Sequence, residues 1–303
     1  GKTVVFVVPT VTALLVPGLS GTMRATARAP AAGTVLNALA TGHGSAFAID
    51  EYVHATVDLD DAGEVTGEVA DFPDADTTLI EACVETVARE HDRDVGGTVR
   101  TQTAIPMAGG LKSSSAAANA TVLATLDALG VEMNREDACR LGVQAAREAG
   151  VTITGAFDDA SASMLGGVTV TDNTSDELLA REEPEWHVVV FTPDERAYSA
   201  DADVARCERI AGTAQVVEEL ALDSRYGEAM TVNGFAYCGA LNFDTEPMLD
   251  ALPDVRGVSL SGTGPSYVAV GTREQMEQTQ TAWAEYEGTT WLTTTQQAGA
   301  QLT

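Results

Sequence analysis

The chain has 303 residues, and 45% of them are hydrophobic, which is enough to bury one large core or two smaller ones. Its 45 acidic and 17 basic side chains give a formal net charge of −28, which repels nucleic acid phosphates and anionic lipid and argues against both as partners. Such a charge suits molar salt, where the Debye length falls to ~3 Å, so we expect a protein from a salt-loving organism.

Cysteine usage indicates a reducing compartment. The four cysteines are far apart and form no Cys-x-x-Cys pair; they are Cys83, Cys139, Cys207 and Cys238. This spacing predicts buried free thiols rather than a zinc site. Together with the acidic composition, it favours a cytoplasmic protein.

The first 22 residues differ from the rest of the chain. Residues 4–19 are apolar, but Pro9 and Pro17 interrupt them, and the segment is short for a membrane span. It has no convincing small-residue cleavage site. Because Met23 precedes a plausible strand, we expect residues 1–22 to be a non-native or disordered leader, with a membrane anchor as the alternative.

Strands and helices alternate in the first half of the chain. Residues 53–59 and 64–69 alternate apolar and polar side chains around a turn-forming segment at 60–63, which predicts a β-hairpin. Apolar residues at helical spacing predict a helix over 78–90. The other predicted elements are strands at 24–29, 97–104 and 167–171 and helices at 114–129 and 135–149.

The acidic segment 172–185 is predicted to be a loop and is the candidate domain boundary. The elements predicted beyond it are helices at 200–220, 227–243 and 274–286 and strands at 186–192, 255–259, 267–271 and 290–294. The alternation in both halves predicts a two-lobed α+β or α/β protein. We therefore expect an N-terminal lobe over 23–175 and a C-terminal lobe over 185–303.

A glycine-serine segment carries the strongest chemical signal. It consists of Pro106, Met107, Ala108, Gly109, Gly110, Leu111, Lys112, Ser113, Ser114, Ser115 and Ala116. A flexible glycine pair followed by hydroxyls and a helix start places unpaired N–H groups and a positive helix terminus together, which suits a phosphate. The alternative is an ordinary strand-to-helix turn with serine caps. It is not a Walker A motif, because leucine precedes the lysine.

Lys112 is notable because the chain has only one other lysine, Lys2. A second signal is the carboxylate pair Asp158 and Asp159, which lies among small and apolar residues. Like charges so placed disfavour joint ionisation unless a cation or donor intervenes, and a metal-bound phosphate or a lysine would serve. The alternative is an exposed helix start that one aspartate caps.

A third segment lies between the strands predicted at 255–259 and 267–271. It consists of Ser261, Gly262, Thr263 and Gly264. The pattern is weak alone, since many hairpins share it. The interpretation as an anion-binding loop is stronger because the chain already contains one such loop, the glycine-serine segment.

Together the three segments resemble the GHMP kinase superfamily. Residues 106–115 resemble its central motif Pro-x-x-x-Gly-Leu-Gly-Ser-Ser-Ala, with Lys112 where most members have glycine and Ser115 in place of the first alanine. The run Gly-Leu-Lys-Ser-Ser-Ser, with residues 28–38 and 42–50, resembles the archaeal shikimate kinase branch. The resemblance covers the chain from Met23 onward. It implies an N-terminal lobe with a ribosomal-protein-like fold, a C-terminal ferredoxin-like lobe, and ATP and acceptor in the cleft between them.

The resemblance implies ATP-dependent phosphorylation of shikimate to shikimate 3-phosphate, a step of chorismate and aromatic amino acid biosynthesis, with Mg²⁺. Asp159 matches the catalytic aspartate, which would orient or deprotonate the acceptor hydroxyl. Lys112 would neutralise phosphoryl charge or hold Asp159 ionised. Ser114 and Glu148 match the Mg²⁺-binding residues, and a solvated helix residue is the alternative for Glu148. The glycine-serine segment and residues 261–264 would bind the nucleotide phosphates.

The acceptor's carboxylate requires a cation, and arginine is the natural bidentate partner. Arg28 is the candidate, and hydroxyl contacts would come from Asn37, Ser45, Asp50 and Asp158, whose alternative roles are caps and turns.

Other readings stay open. Another GHMP kinase, for homoserine or mevalonate, would share the same motifs, and so would a non-catalytic ATP-binding regulator. A monomer and a homodimer are equally compatible with the sequence.

Overall fold

A computed structural model describes residues 23–61, 63–105, 109–194, 203–252 and 254–303. The predicted leader, and Pro106, Met107 and Ala108 of the glycine-serine segment, lie outside the described residues. Of the helices in the described part, none combines the length and apolarity needed to cross a bilayer.

The first sheet has seven strands and carries four helices. Its strands are β1 (Met23–Leu36), β2 (His43–Asp60), β3 (Val65–Val69), β4 (Gly96–Thr103), β5 (Val168–Asp172), β6 (Glu177–Glu182) and β11 (Gln301–Leu302). Its helices are α1 (Thr78–Glu90), α2 (Ser113–Ala128), α3 (Arg135–Glu148) and α4 (Phe157–Leu165). The strand order is β11-β1-β2-β4-β3, and β5 pairs with the start of β2 and with β6.

The second sheet has four strands in the order β10-β7-β9-β8, all antiparallel. Its strands are β7 (His187–Pro193), β8 (Gly257–Leu260), β9 (Tyr267–Gly271) and β10 (Gly288–Thr294). The helices of this part of the chain are α5 (Val204–Glu208), α6 (Ala211–Leu222), α7 (Tyr226–Leu241), α8 (Glu246–Ala251) and α9 (Arg273–Trp283). The mixed helix and sheet class predicted from the alternation is confirmed.

The chain returns to the first sheet at its end. Ala27 and Arg28 of β1 pair with Leu302 and Gln301 of β11. The chain leaves the first sheet at Trp186 and returns to it at Thr295. These two residues are hydrogen-bonded, because the Thr295 amide donates to the Trp186 carbonyl at 3.0 Å.

The predicted hairpin between β2 and β3 is wrong, although both strands exist. β4 lies between them, antiparallel to β2 and parallel to β3, with Val65 of β3 opposite Gly97 of β4. Helix α1 makes the crossover from β3 to β4, and a parallel pair needs such a connection. Alternation predicts a strand but not its partner, so the nearest strand in sequence was the wrong choice.

The predicted loop at 172–185 is also wrong, because β6 occupies Glu177–Glu182 and pairs with β5. Leu178 and Ala180 pack against the core, while Glu177, Leu179, Arg181 and Glu182 are exposed. The alternation of half-buried and exposed residues therefore belongs to an edge strand, which pairs only with β5 among the described strands.

Helix α2 is the centre of the first layer. It packs on β1 and β2 and against α1, α3 and α4. Its residues are small and buried almost all round, including Ala116, Ala120 and Ala124 at 0% exposure. A helix that is apolar on every face is a core element. Its rigid packing fixes the position of its N-terminus, where the glycine-serine segment ends.

The four cysteines are buried and unpaired, as expected. Burial raises the pKa of the Cys83 thiol to about 12, so it stays protonated at neutral pH. These thiols act as small apolar side chains of the core.

Candidate active site

A cavity of about 390 Å³ lies where the N-termini of α2 and α4 meet the loop between β8 and β9. It brings together members of all three predicted segments. The predicted residues on its wall are Asn37, Gly110, Lys112, Ser113, Ser114, Ser115, Asp158, Asp159, Gly262, Thr263 and Gly264. Leu111 and Ala116 are buried behind the wall, in the core.

The N-terminus of α2 faces this cavity. Lys112 is its N-cap, with φ 64° and ψ 32°, and makes no side-chain cap. The Ala116 amide donates to the Lys112 carbonyl at 3.1 Å, so the amides of Ser113, Ser114 and Ser115 have no intrahelical acceptor. Unpaired amides at the positive end of a helix are suited to bind an anion.

The loop between β8 and β9 packs directly on the glycine pair. Gly110 has φ +82°, and a Cβ atom there would lie 2.2 Å from the Ser261 carbonyl oxygen. The Ser261 hydroxyl donates to the Gly110 carbonyl at 2.8 Å, and the Ser266 amide donates to the Gly109 carbonyl at 3.2 Å. Only glycine permits this approach, so the first and third segments form one structural unit.

Lys112 and Asp159 form a buried ion pair. The Lys112 Nζ lies 2.8 Å from Asp159 Oδ2, and the side chains are 14% and 11% exposed. Burial, and the adjacent charge of Asp158, raise the pKa of Asp159 to about 7, although Lys112 opposes the rise. Burial disfavours the charged form of Lys112, but the two carboxylates outweigh it and its pKa is raised. The pair therefore places a carboxylate that titrates near neutrality inside the cavity, as a general base requires.

Asp159 has a second oxygen that lacks a donor. Its Oδ1 atom is buried and accepts no hydrogen bond from any described residue. A buried acceptor without a partner is costly, so its retention in a cavity indicates a ligand that donates to it.

Asp158 is also buried, and the alternative of an exposed, aspartate-capped helix start is wrong. Asp158 is 3% exposed and Asp159 is 8% exposed. The N-cap of α4 is Ala156, in a left-handed conformation without a side-chain cap. The Asp158 amide donates to Asn173 Oδ1 at 3.0 Å, and Asn173 Nδ2 donates to Asp158 Oδ1 at 2.8 Å. Asn173 was not predicted as a site residue because it lies in the acidic segment 172–185, for which a loop was expected.

Asn37 lies on the cavity wall, but its polar groups are occupied. Its amide donates to Asn233, its Nδ2 donates to the Gly262 carbonyl at 2.9 Å, and its carbonyl accepts from Tyr237 at 2.8 Å. The Leu39 amide donates to its Oδ1 at 2.9 Å. Asn37 therefore links the β1–β2 connection to α7 and to the β8–β9 loop.

The structure does not bring Glu148 to the cavity. It lies at the exposed end of α3, where it accepts from Arg89 at 2.7 Å and from Gln144 at 2.9 Å. These two bonds, led by Gln144, lower the pKa of its carboxylate. The eleven-residue separation from Asp159 spans the end of one helix and the start of another, so sequence spacing could not determine where the side chain points. Within the described ranges, no cluster of three or more His, Cys, Asp or Glu residues could hold a metal ion.

Three predicted acceptor-binding residues also lie off the cavity. Arg28 stacks on the Tyr52 ring, with its guanidinium carbon 4.3 Å from the ring centroid, and donates to Gln301 at 3.0 Å. Asp50 is exposed and accepts from Tyr52 at 2.7 Å. Ser45 is buried in β2, opposite Val170 of β5. Lys112 is thus the only basic side chain among the described residues that line the cavity.

The cavity also has apolar walls, whose residues carry no signal in the sequence that separates them from ordinary core residues. These walls come from α1, α3 and the segment that precedes α4, including Leu79, Val143, Val151 and Ile153. Val151 and Ile153 are 47% and 67% exposed. Apolar side chains beside an anion-binding helix terminus are suited to a flat base joined to phosphates.

Comparisons with known proteins identify a family model and close relatives in sequence. Residues 78–167 match the family model described as GHMP kinases N terminal domain. Shikimate kinase of Halobacterium salinarum is 62% identical over 278 residues, which are 91% of this chain and 98% of that protein. Shikimate kinase of Methanosarcina mazei is 53% identical over 254 residues, 83% of this chain and 87% of that protein.

The fold is similar to that of solved kinases. The crystal structure of homoserine kinase from Cytophaga hutchinsonii aligns with a TM-score of 0.76 over 92% of this chain and 97% of that one. Sequence identity in that alignment is 16%, so the similarity concerns the fold. The two-lobed fold class expected from the motifs is confirmed.

Proposed function

The chain belongs to the GHMP kinase family and, within it, to the archaeal shikimate kinases, and from this premise we propose that it phosphorylates shikimate to shikimate 3-phosphate with ATP. The observation that carries the proposal is the convergence of the α2 N-terminus, the Lys112–Asp159 pair and the β8–β9 loop on one cavity. Homoserine and mevalonate kinases share the fold at low identity, and no feature of the cavity favours their substrates.

The phosphates of ATP bind at the start of α2. The free amides of Ser113, Ser114 and Ser115 and the helix dipole receive their negative charge. Gly262, Thr263 and Gly264 form the facing wall. The base lies against the apolar walls of the cavity.

Asp159 binds and deprotonates the reacting hydroxyl of the acceptor. Its unpartnered Oδ1 accepts the hydrogen bond of the reacting hydroxyl. The hydroxyl oxygen forms a bond to the γ-phosphorus, the bond from that phosphorus to the bridging oxygen of ADP breaks, and the hydroxyl proton passes to Asp159. Lys112 keeps Asp159 ionised and stabilises charge on the transferring group, as preorganised cations do.

The family implies Mg²⁺, and the residues on the wall fit it in part. Mg²⁺ usually keeps several waters and takes few protein ligands beside substrate phosphates, so a closed cluster of carboxylates is not required. The hydroxyl of Ser114, exposed on the cavity wall, would hold it, whereas Glu148 lies elsewhere. When bound, the ion neutralises charge on the β- and γ-phosphates.

Three further proposals concern the whole molecule. The first sheet forms an N-terminal lobe that extends the predicted range 23–175 by β6 and β11, and the second sheet forms a C-terminal lobe within the predicted range 185–303. The protein works in the cytoplasm, as a monomer or homodimer. Its net charge of −28 favours a solution of molar salt.

A coupled ADP assay tests the function. The full chain in 2–3 M KCl, a range chosen to screen self-repulsion, receives ATP and Mg²⁺ with shikimate, homoserine or mevalonate. We expect ADP release to depend on shikimate and to stay at background with the others. Turnover of another acceptor without turnover of shikimate would refute the proposal.

A further inference from the structure

Each of the two carboxylates on α4 has one oxygen to which none of the described residues donates a hydrogen bond. Asp159 binds Lys112 through Oδ2, and its Oδ1 has no donor. Asp158 binds Asn173 through Oδ1, and none of the described residues donates to its Oδ2. Both residues line the cavity. The site therefore offers two hydrogen-bond acceptors, of which the reaction proposed above uses one.

Asp158 is held in place before any ligand arrives. Asn173, which is 2% exposed, bonds to both its amide and its carboxylate, and Thr171 donates to Asn173 Oδ1 at 2.8 Å. The backbone of β2 packs against the Oδ2 side of the carboxylate, where a Cβ atom at Gly44 would lie 2.4 Å from Oδ2. A side chain confined by such contacts has lost its rotamer freedom, which is the condition for specific recognition.

Two buried carboxylates side by side are unfavourable unless donors satisfy both. Their charges repel, and only one ammonium group, that of Lys112, lies among the residues on the cavity wall that the structure describes. The second carboxylate costs stability in the free protein, and a hydroxyl donor from the substrate would offset this cost.

Building on the proposed function, we propose that Asp158, positioned by Asn173, accepts a hydrogen bond from the hydroxyl next to the one that is phosphorylated. Asp159 receives the reacting hydroxyl and Asp158 its neighbour, so the site requires a vicinal diol. Shikimate carries such a diol. Homoserine has a single hydroxyl, and the two hydroxyls of mevalonate are not on adjacent carbons, so the requirement separates this kinase from the homoserine and mevalonate kinases of similar fold.

The first test uses the unmodified protein. Its kcat/KM is measured for shikimate and for 4-deoxyshikimate, in which hydrogen replaces the hydroxyl next to the reacting one. We expect a loss of about 100-fold or more, because a site built around a hydroxyl is left with an unpaired buried group when that hydroxyl is absent. Equal values for the two compounds would overturn the proposal.

Two variants assign the effect to Asp158. In Asp158→Asn, kcat/KM for shikimate should fall about 100-fold. For 4-deoxyshikimate it should stay within about 3-fold of the value for the unmodified protein, because this compound lacks the hydroxyl that Asp158 binds and so has no contact with Asp158 to lose. In Asn173→Ala, KM for shikimate should rise and KM for ATP should not. Asp127→Asn, an equal charge change on the exposed end of α2, is the matched control and should alter neither.

The outcomes distinguish this proposal from the function itself. If Asp158→Asn lowers kcat/KM by the same factor for both compounds, the carboxylate does not meet that hydroxyl, and the proposal is wrong. A requirement for more Mg²⁺ in Asp158→Asn, with no change in KM for shikimate, would also overturn it. Failure of the proposed function would look different, because the unmodified protein would then release no ADP with shikimate. Thermal unfolding of each variant checks that the fold is retained.

Discussion

Replacing Lys112 by glycine and by alanine separates its charge from its backbone conformation. Lys112 has φ 64°, in the left-handed region that favours glycine. Alanine keeps the steric cost of this conformation and glycine removes it, so we expect Lys112→Gly to be more stable than Lys112→Ala by about 1 kcal/mol. For a chain of this size the difference corresponds to about 2 °C in Tm.

Both variants lose the ammonium group 2.8 Å from Asp159. The loss of one preorganised electrostatic group lowers kcat by roughly 10²-fold. The pKa of Asp159, about 7 beside Lys112, should rise further because burial and Asp158 then act unopposed. The rise of kcat with pH, which follows deprotonation of Asp159, should therefore shift to higher pH in both variants.

The assay measures kcat from pH 5.5 to 9.5 in molar KCl, together with Tm. Arg273→Ala, which removes an exposed cation on α9, serves as the control and should leave the profile unchanged. Near-normal kcat in Lys112→Gly would show that the ammonium has no catalytic role. A Tm no higher in Lys112→Gly than in Lys112→Ala would refute the argument from backbone strain.

Four further predictions follow from the same contacts. Asp159→Asn should abolish shikimate-dependent ADP release. Because burial raises the pKa of Asp159 from 3.8 to about 7, the free energy of unfolding of the unmodified protein should fall as pH rises between these values. Denaturant titrations should find a smaller dependence of the free energy of unfolding on pH in the variant. Gly262→Ala places a Cβ 3.1 Å from Lys112 Nζ at φ +58°, so kcat should fall at least ~10-fold while circular dichroism stays native. Glu148→Gln should change kcat less than about 2-fold, because its ion pair with Arg89 is exposed, and a raised Mg²⁺ requirement would restore it as a metal ligand. Calorimetry should show Tm rising from dilute buffer to molar KCl, and full stability in dilute buffer would contradict the inference from the net charge of −28.

Local sequence signals could predict that the glycine-serine segment lies at a helix N-terminus, because its residues are continuous along the chain. A glycine pair, a lysine and three serines before a helix are adjacent in sequence, and the helix places them together. The carboxylates of α4 were equally visible as a pair. Their contact with Lys112 could be anticipated only from charge, since 47 residues separate the partners.

Features that depend on distant pairing could not be predicted in the same way. The alternation of β3 identified a strand, but the crossover through α1 made β4 its partner. The buried hydrogen bonds of Asn173 and Asn233 could not be predicted, because the sequence around a buried asparagine does not differ from that around an asparagine in a turn. Arg28 was chosen by charge alone, and its side chain lies over Tyr52 instead.

The return of the chain at β11 has a mechanical consequence. Residues 187–294 leave and re-enter the first sheet at neighbouring points, where Trp186 and Thr295 are hydrogen-bonded at 3.0 Å. These two connections are reinforced by packing, because Val188, Val190 and Val270 of this body lie in the same hydrophobic core as the residues of β1 and β2. Swapping of this body between two molecules would therefore require β11 to detach from β1 and the shared core to be exposed to solvent.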